Sequence, residues 1–207
     1  MSTAKKVAQS LLQIKAIKLS LASPFTWASG WKSPIYCDNR KTLAYPAVRK
    51  QIAEAFAQLI RGKYPDVEVV AGVATGAIAH GLLAAEQLGL PFVYVRAKPK
   101  EHGLGNQIEG ELPPNKKVVV VEDLISTGGS SLSALQALRT AQANVLGMVA
   151  IFTYGFEVAR KSFEEAGCEL TTLSDYSELI EEAAATGYVQ PSEVDALQRW
   201  RNAPDRW

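Results

Sequence analysis

The sequence predicts an α/β fold: a central, mainly parallel sheet with helices on both faces. Three observations predict it. Short β-branched runs alternate with amphipathic stretches from Val67 to Leu173, as in chains built of strand–helix–strand units. The run Val118-Val119-Val120-Val121 shows no polar alternation, as expected of a strand covered on both faces. A hydroxyl- and glycine-rich turn then leads from that run into a helical pattern.

The N-terminal stretch Met1 to Leu19 carries Val7, Ala8, Leu11, Leu12 and Ile14 at helical spacing and no small-residue cleavage site. It reads as an amphipathic helix and not as a signal peptide. Two aromatic-rich runs flank Ser29-Gly30 and suggest a hairpin. Pro46 suits the first turn of a helix whose stripe is Val48, Ile52, Phe56, Leu59 and Ile60. The alternation then gives a strand at Val67–Ala71 ending at Gly72, a helix at Ala77–Leu88 closed by Gly89, and strands at Pro91–Arg96 and Val118–Val121. It continues with a helix at Ser131–Ala141, a strand at Val145–Phe152, a helix at Glu157–Ala166 and a strand at Cys168–Leu173. Two further helices fall near Ser177–Thr186 and Ser192–Arg201. The whole is read as one domain, 1–207, with an N-terminal helix and hood over 1–40 and a core over 67–175.

Composition narrows the function. The 207 residues carry 22 Lys+Arg against 21 Asp+Glu, a net charge of +1, so no global field favours nucleic acid or a membrane surface. No apolar run approaches the length of a membrane span. Cys37 and Cys168 stand far apart with no metal-binding spacing around them, the pattern of free thiols in a reducing cytoplasm.

The strongest local signal follows the valine run: Glu122, Asp123, Leu124, Ile125, Ser126, Thr127, Gly128, Gly129 and Ser130. A buried strand leads into two acids, and a short loop opens a helix. Such a loop aims backbone N–H groups at one point, and the helix N-terminus favours an anion there. The glycines permit close approach, and Ser126, Thr127 and Ser130 add hydroxyl donors, so a monophosphate fits. Glu122 and Asp123 suit vicinal ribose hydroxyls or a hydrated Mg²⁺. A plain helix cap explains the serines and glycines but not the double acid behind a buried strand.

The polar stretch 97–116 breaks the alternation. Loops that long inside a compact domain are commonly functional lids. Arg96, Lys98, Lys100 and His102 place three permanent cations and one titratable group within seven residues, able to close over an anionic leaving group; Lys98 is read as solvated. The small-residue loop Ala71–Ala77 is open between a second anion loop and a tight strand-to-helix turn. His80 reads as structural.

The 118–130 segment resembles the phosphoribosyl pyrophosphate (PRPP) signature of the type I phosphoribosyltransferases. Phe25-Thr26-Trp27-Ala28-Ser29-Gly30 with Lys32-Ser33-Pro34 resembles the hood of the orotate phosphoribosyltransferases. Arg96 to Gly103 with Gly105 to Gly110 resembles their mobile catalytic loop. The resemblance runs from about Pro24 to Tyr176. It implies that PRPP and orotate are the substrates, with transfer of ribose 5-phosphate to orotate on the route to UMP. It further implies Mg²⁺ held mainly through PRPP with no dedicated protein ligands, and a cytoplasmic homodimer sharing its lid. Arg96, Lys100, His102 and Glu122–Ser130 would contact PRPP, Lys100 and His102 would act on the leaving group, and Ser126 would touch orotate.

Four positions depart from the better-known branch of that family, one of them Glu122, since the acid pair is Glu-Asp where Asp-Asp is frequent. Ala28 and Tyr154 stand where it has a lysine and an arginine, and Ala97 where it has a second lid lysine. The orotate carboxylate therefore needs other donors, with backbone N–H near Ser29-Gly30, Lys32 and Arg40 as candidates. Two rival readings remain at this point: a phosphoribosyltransferase for another base, and a regulatory protein that senses PRPP and binds nucleic acid. The second would need a basic stripe or an added helix pair.

Overall fold

A computed structural model describes residues 1–27, 30–97 and 107–207. Helix α1 (Thr3–Gln13) is capped by Ser2, whose hydroxyl accepts the Lys5 N–H at 3.2 Å, and it buries Val7, Ala8, Leu11 and Leu12. It stops short of the predicted end at Leu19. Lys15 takes a left-handed conformation with φ 55°, and the chain turns into strand β1 (Ile17–Leu19). The hairpin expected at Ser29-Gly30 is formed by β2 (Phe25–Thr26) and β3 (Lys32–Ser33). Strand β4 (Ile35–Cys37) then pairs antiparallel with β1.

A six-residue 3-10 segment, Asn39–Ala44, leads into helix α2 (Pro46–Lys63), with Pro46 in its first turn as predicted. The core follows: β5 (Val69–Val73), α3 (Ile78–Leu88), β6 (Phe92–Val95), β7 (Ile108–Glu109), β8 (Lys117–Ile125) and α4 (Gly129–Thr140). It closes with β9 (Asn144–Thr153), α5 (Glu157–Glu165), β10 (Leu170–Asp175), α6 (Tyr176–Ala185) and α7 (Pro191–Asn202).

The main sheet has the order β10-β9-β8-β5-β6-β7. All neighbouring pairs are parallel except β6 with β7. Side chains alternate across a strand, and here both faces are covered. Val119 and Val121 join the core under α1, α2, α3, α6 and α7, while Val118 and Val120 join the one under α4 and α5. That double cover explains the unbroken valine run. No described helix is long and apolar enough to cross a membrane.

All five predicted core strands shift at their limits, β10 to Leu170–Asp175 among them, and two of the shifts have a clear physical reason. Gly72 lies inside β5 instead of ending it, because the sheet needs a glycine there. A Cβ at Gly72 would come within 2.9 Å of Ala77 O and 3.0 Å of the Phe92 ring, and a Cβ at Gly81 on α3 would meet the same ring at 2.8 Å. The two glycines let α3 settle closely on β5. Strand β8 runs on through the acids to Ile125, with Glu122 paired to Ala150 and Ile125 to Thr153 of β9. The stretch 97–116 is also not all loop: β7 returns its second half to the sheet edge beside β6.

Position in the sheet singles out one place. From β5 the chain steps outward to β6, then returns to place β8 on the other side of β5 and continues to β9 and β10. The direction of travel reverses between β5 and β8. In open α/β sheets, ligands bind outside the carboxyl ends of the strands at such a switch point.

Candidate active site

A cavity of about 360 Å³ opens at the switch point. Ala74, Thr75 and Gly76 border it from the end of β5, Asp123 and Ser130 from β8 and α4, and Asp38 and Arg40 from the hood side. The Ala74–Thr75 peptide is cis. Because Glu122 and Asp123 lie within a strand, their side chains leave on opposite faces. Asp123 faces the β5 loop, where a Cβ on Gly76 would overlap its carboxylate. Its backbone carbonyl accepts from Asn39 Nδ2 at 2.6 Å.

Glu122 goes the other way, beneath α4. One carboxylate oxygen accepts the Ser131 hydroxyl at 2.8 Å and the other accepts the Asp123 N–H at 2.9 Å. Burial, then the neighbouring Asp123 carboxylate, pushes Glu122 up to about 8. Glu122 also borders the cavity, where its carboxyl lies against that of Asp123.

Helix α4 starts at Gly128, with φ 88°, and no side chain caps it. The first N–H groups of a helix have no partner within it, so this end keeps its donors and its positive potential. The Ser126, Thr127 and Ser130 hydroxyls bond to none of the described residues. They are therefore not spent on capping, which separates an anion cradle from an ordinary helix start.

A second cavity of about 270 Å³ adjoins the first, with Cys37 and Leu124 bordering both. The remainder of its lining is Thr26, Trp27, Tyr36, Ser126 and Tyr154. An aromatic cluster holds its roof. Trp27 lies 5.0 Å from Tyr154 and 5.7 Å edge-on from Trp200, and Tyr154 stacks on Phe156 at 5.4 Å. Trp27 Nε1 donates to Ile35 O and Trp200 Nε1 to Lys32 O, each at 3.2 Å. Helix α7 thereby anchors the hood. Burial raises the Tyr154 hydroxyl well above its ordinary value, keeping it a neutral hydrogen-bonding group.

Comparison with known proteins decides the family. The phosphoribosyl transferase domain model matches residues 40–178. The chain is 58% identical over 203 residues to orotate phosphoribosyltransferase of Porphyromonas gingivalis, covering 98% of this chain and 97% of that protein. It is 56% identical over 207 residues to orotate phosphoribosyltransferase of Lactococcus lactis subsp. cremoris, covering 100% and 99%. This chain belongs to the orotate phosphoribosyltransferase family.

Solved structures agree on the fold. Orotate phosphoribosyltransferase from Aeropyrum pernix matches with a TM-score of 0.74 at 26% identity, over 88% of this chain and 99% of that one. UMP synthase of Leishmania donovani matches with a TM-score of 0.81 at 22% identity. It aligns with 99% of this chain, which spans 42% of that longer protein. The fold is that of the type I phosphoribosyltransferases.

Glu122, Asp123, Leu124 and Ser130 line the switch-point cavity and Leu124 and Ser126 the adjoining one, whereas Ile125 is buried in the core and Thr127, Gly128 and Gly129 line neither cavity. Arg96 stands at the end of β6, where its guanidinium pairs with Glu109 at 3.5 Å and its backbone exchanges bonds with Gln107. Lys98, Lys100 and His102 lie outside the described residues, as do Ala28 and Ser29. Buried His80 shares a 3.1 Å hydrogen bond with Thr42, in keeping with a structural role, and burial lowers its pKa.

Sequence reasoning left Ala74 to Gly76 open between an anion loop and a plain turn, and it left out Asp38 and Asn39. The small residues of the first group also fit a plain turn, and only the sheet order reveals that they face Asp123. Asn39 carried no motif, since its partner lies 84 positions away.

Proposed function

We propose that this chain transfers the ribose 5-phosphate of PRPP to orotate, giving orotidine 5'-monophosphate and pyrophosphate in pyrimidine biosynthesis. The observation that carries the proposal is the uncapped start of α4 at the switch point, beside a neutral, aromatic-walled cavity. The N–H groups of Gly129 and Ser130, with the Ser126, Thr127 and Ser130 hydroxyls, hold the 5-phosphate. Asp123 orients the ribose hydroxyls. Glu122 supports it from behind by fixing the Asp123 N–H and Ser131. The loop Ala74 to Gly76 faces the pyrophosphate across the cavity.

The second cavity takes the pyrimidine, with Ser126 at the junction where the two reactants meet. Holding both in line removes much of the entropic barrier to substitution at the anomeric carbon. Arg96, Lys100 and His102 neutralise the departing pyrophosphate. Asp38 is held by Arg40 at 2.7 Å, below the usual carboxylate range, and Glu122 is engaged beneath α4. That leaves Asp123 as the carboxylate best placed to assist a cation, so the site suits Mg²⁺ carried in mainly by the oxygens of PRPP. When bound, Mg²⁺ would lower the charge of the leaving group. We place the enzyme in the cytoplasm as a homodimer with a shared lid, a reading supported by its two free thiols and by the family.

Loss of orotate's ultraviolet absorbance on adding PRPP and Mg²⁺ tests the proposal. Absorbance should fall, and uracil or a purine in its place should not be consumed. Consumption of another base instead of orotate would overturn it.

A further inference from the structure

We infer that Lys32 is the cation that receives the orotate carboxylate, and so sets the preference for orotate over a neutral pyrimidine. This rests on the proposed function and assigns to it a residue that the reading above leaves open. The cavity beside Ser126 is lined by Thr26, Trp27, Tyr36, Cys37, Leu124, Ser126 and Tyr154, with no charged side chain among them. A carboxylate entering that space needs a charged donor at its rim, because desolvating an anion without one is costly.

Lys32 stands at that rim. It pairs with Thr26 across the hairpin, and its ammonium donates to Thr26 Oγ1 at 2.8 Å. An ammonium has three donors, so two remain for a ligand. No described carboxylate lies within ion-pair distance of it.

Among the other candidates, the single-donor groups are spent and the cations border or bond elsewhere. Arg40 borders the switch-point cavity and is held by Asp38 at 2.7 Å. The Gly30 N–H already donates to Trp27 O at 2.9 Å, and Trp27 Nε1 is used by Ile35 O. Lys41 donates to Lys15 O. Lys18, which pairs with Tyr36 across β1 and β4, is a further described cation beside a lining residue of this cavity and serves as the control. The position of Lys32 is also fixed from below, since its own carbonyl accepts from Trp200.

The test compares steady-state constants of Lys32→Met, Lys32→Arg and Lys18→Met with the unaltered enzyme. Losing a hydrogen bond to a charged group should raise the KM for orotate in Lys32→Met by roughly 10- to 100-fold. The KM for PRPP and the melting temperature should stay put. Lys32→Arg should recover most of the loss, and Lys18→Met should behave as the unaltered enzyme. An unchanged orotate KM in Lys32→Met would overturn the assignment, as would an equal rise for PRPP, or the loss appearing in Lys18→Met instead. If the unaltered enzyme consumes no orotate at all, the proposed function itself fails, an outcome distinct from any of these.

Discussion

Glu122 is buried, bonded on both oxygens and adjacent to a second acid, and each of these has a consequence for pH. Its carboxyl is raised from 4.5 to about 8 in the folded protein, first by burial. A group with a raised folded pKa keeps its stabilising contribution below the unfolded value and loses it as pH climbs through the folded one. The unliganded protein should therefore lose stability between about pH 4.5 and pH 8, by on the order of a few kcal/mol. Glu122→Gln preserves both partners, since an amide accepts the Asp123 N–H and can donate to Ser131. Urea unfolding across that range should show a flatter profile for the variant. An equally steep profile would mean that Glu122 ionises freely where it sits.

At the scale of elements, how a segment pairs matters more than its composition. The run Val118–Val121 was legible as a buried strand because double burial removes alternation. Its continuation to Ile125 was not, because Glu122 and Asp123 look like a strand end until β9 pairs with them. Gly72 looked like a stop, and it is a packing residue whose partners, Phe92 and Gly81, belong to other elements. The proposed cradle was visible in the sequence from Ser126 to Ser130, since helix starts have local chemistry. The opposing loop at Ala74–Gly76 stayed open between an anion loop and a turn, because only the order of strands sets it across from Asp123. The proposed lid segment follows β6, and the chain returns at β7, where the Arg96 N–H donates to Gln107 O and the Gln107 side-chain amide donates back to Arg96 O. If Lys100 closes over pyrophosphate, Lys100→Ala should cut turnover by about 100-fold or more with little change in melting temperature. Turnover equal to the unaltered enzyme would remove Lys100 from the mechanism.

The whole molecule brings distant parts of the chain to one edge of the sheet. The hood lies near the N-terminus, the cradle at mid-chain, and Trp200 close to the C-terminus, yet Trp200 donates to Lys32 O and packs against Trp27, Tyr154 and Phe156. Trp200→Ala should cost about 3–5 kcal/mol of stability, the usual range for emptying a fully buried indole. It should also raise the KM for orotate more than that for PRPP, because Trp200 packs on Trp27 and Tyr154, which line the cavity proposed for the base and not the switch-point cavity. Equal changes in both constants would mean that α7 supports the fold without positioning the hood. The same architecture makes the anion site at α4 the claim on which every other assignment depends. Calorimetric titration of the folded protein with PRPP in the presence of Mg²⁺ tests it most directly. Saturable binding at one site per chain is the predicted result, and a folded protein that takes up no PRPP would contradict it.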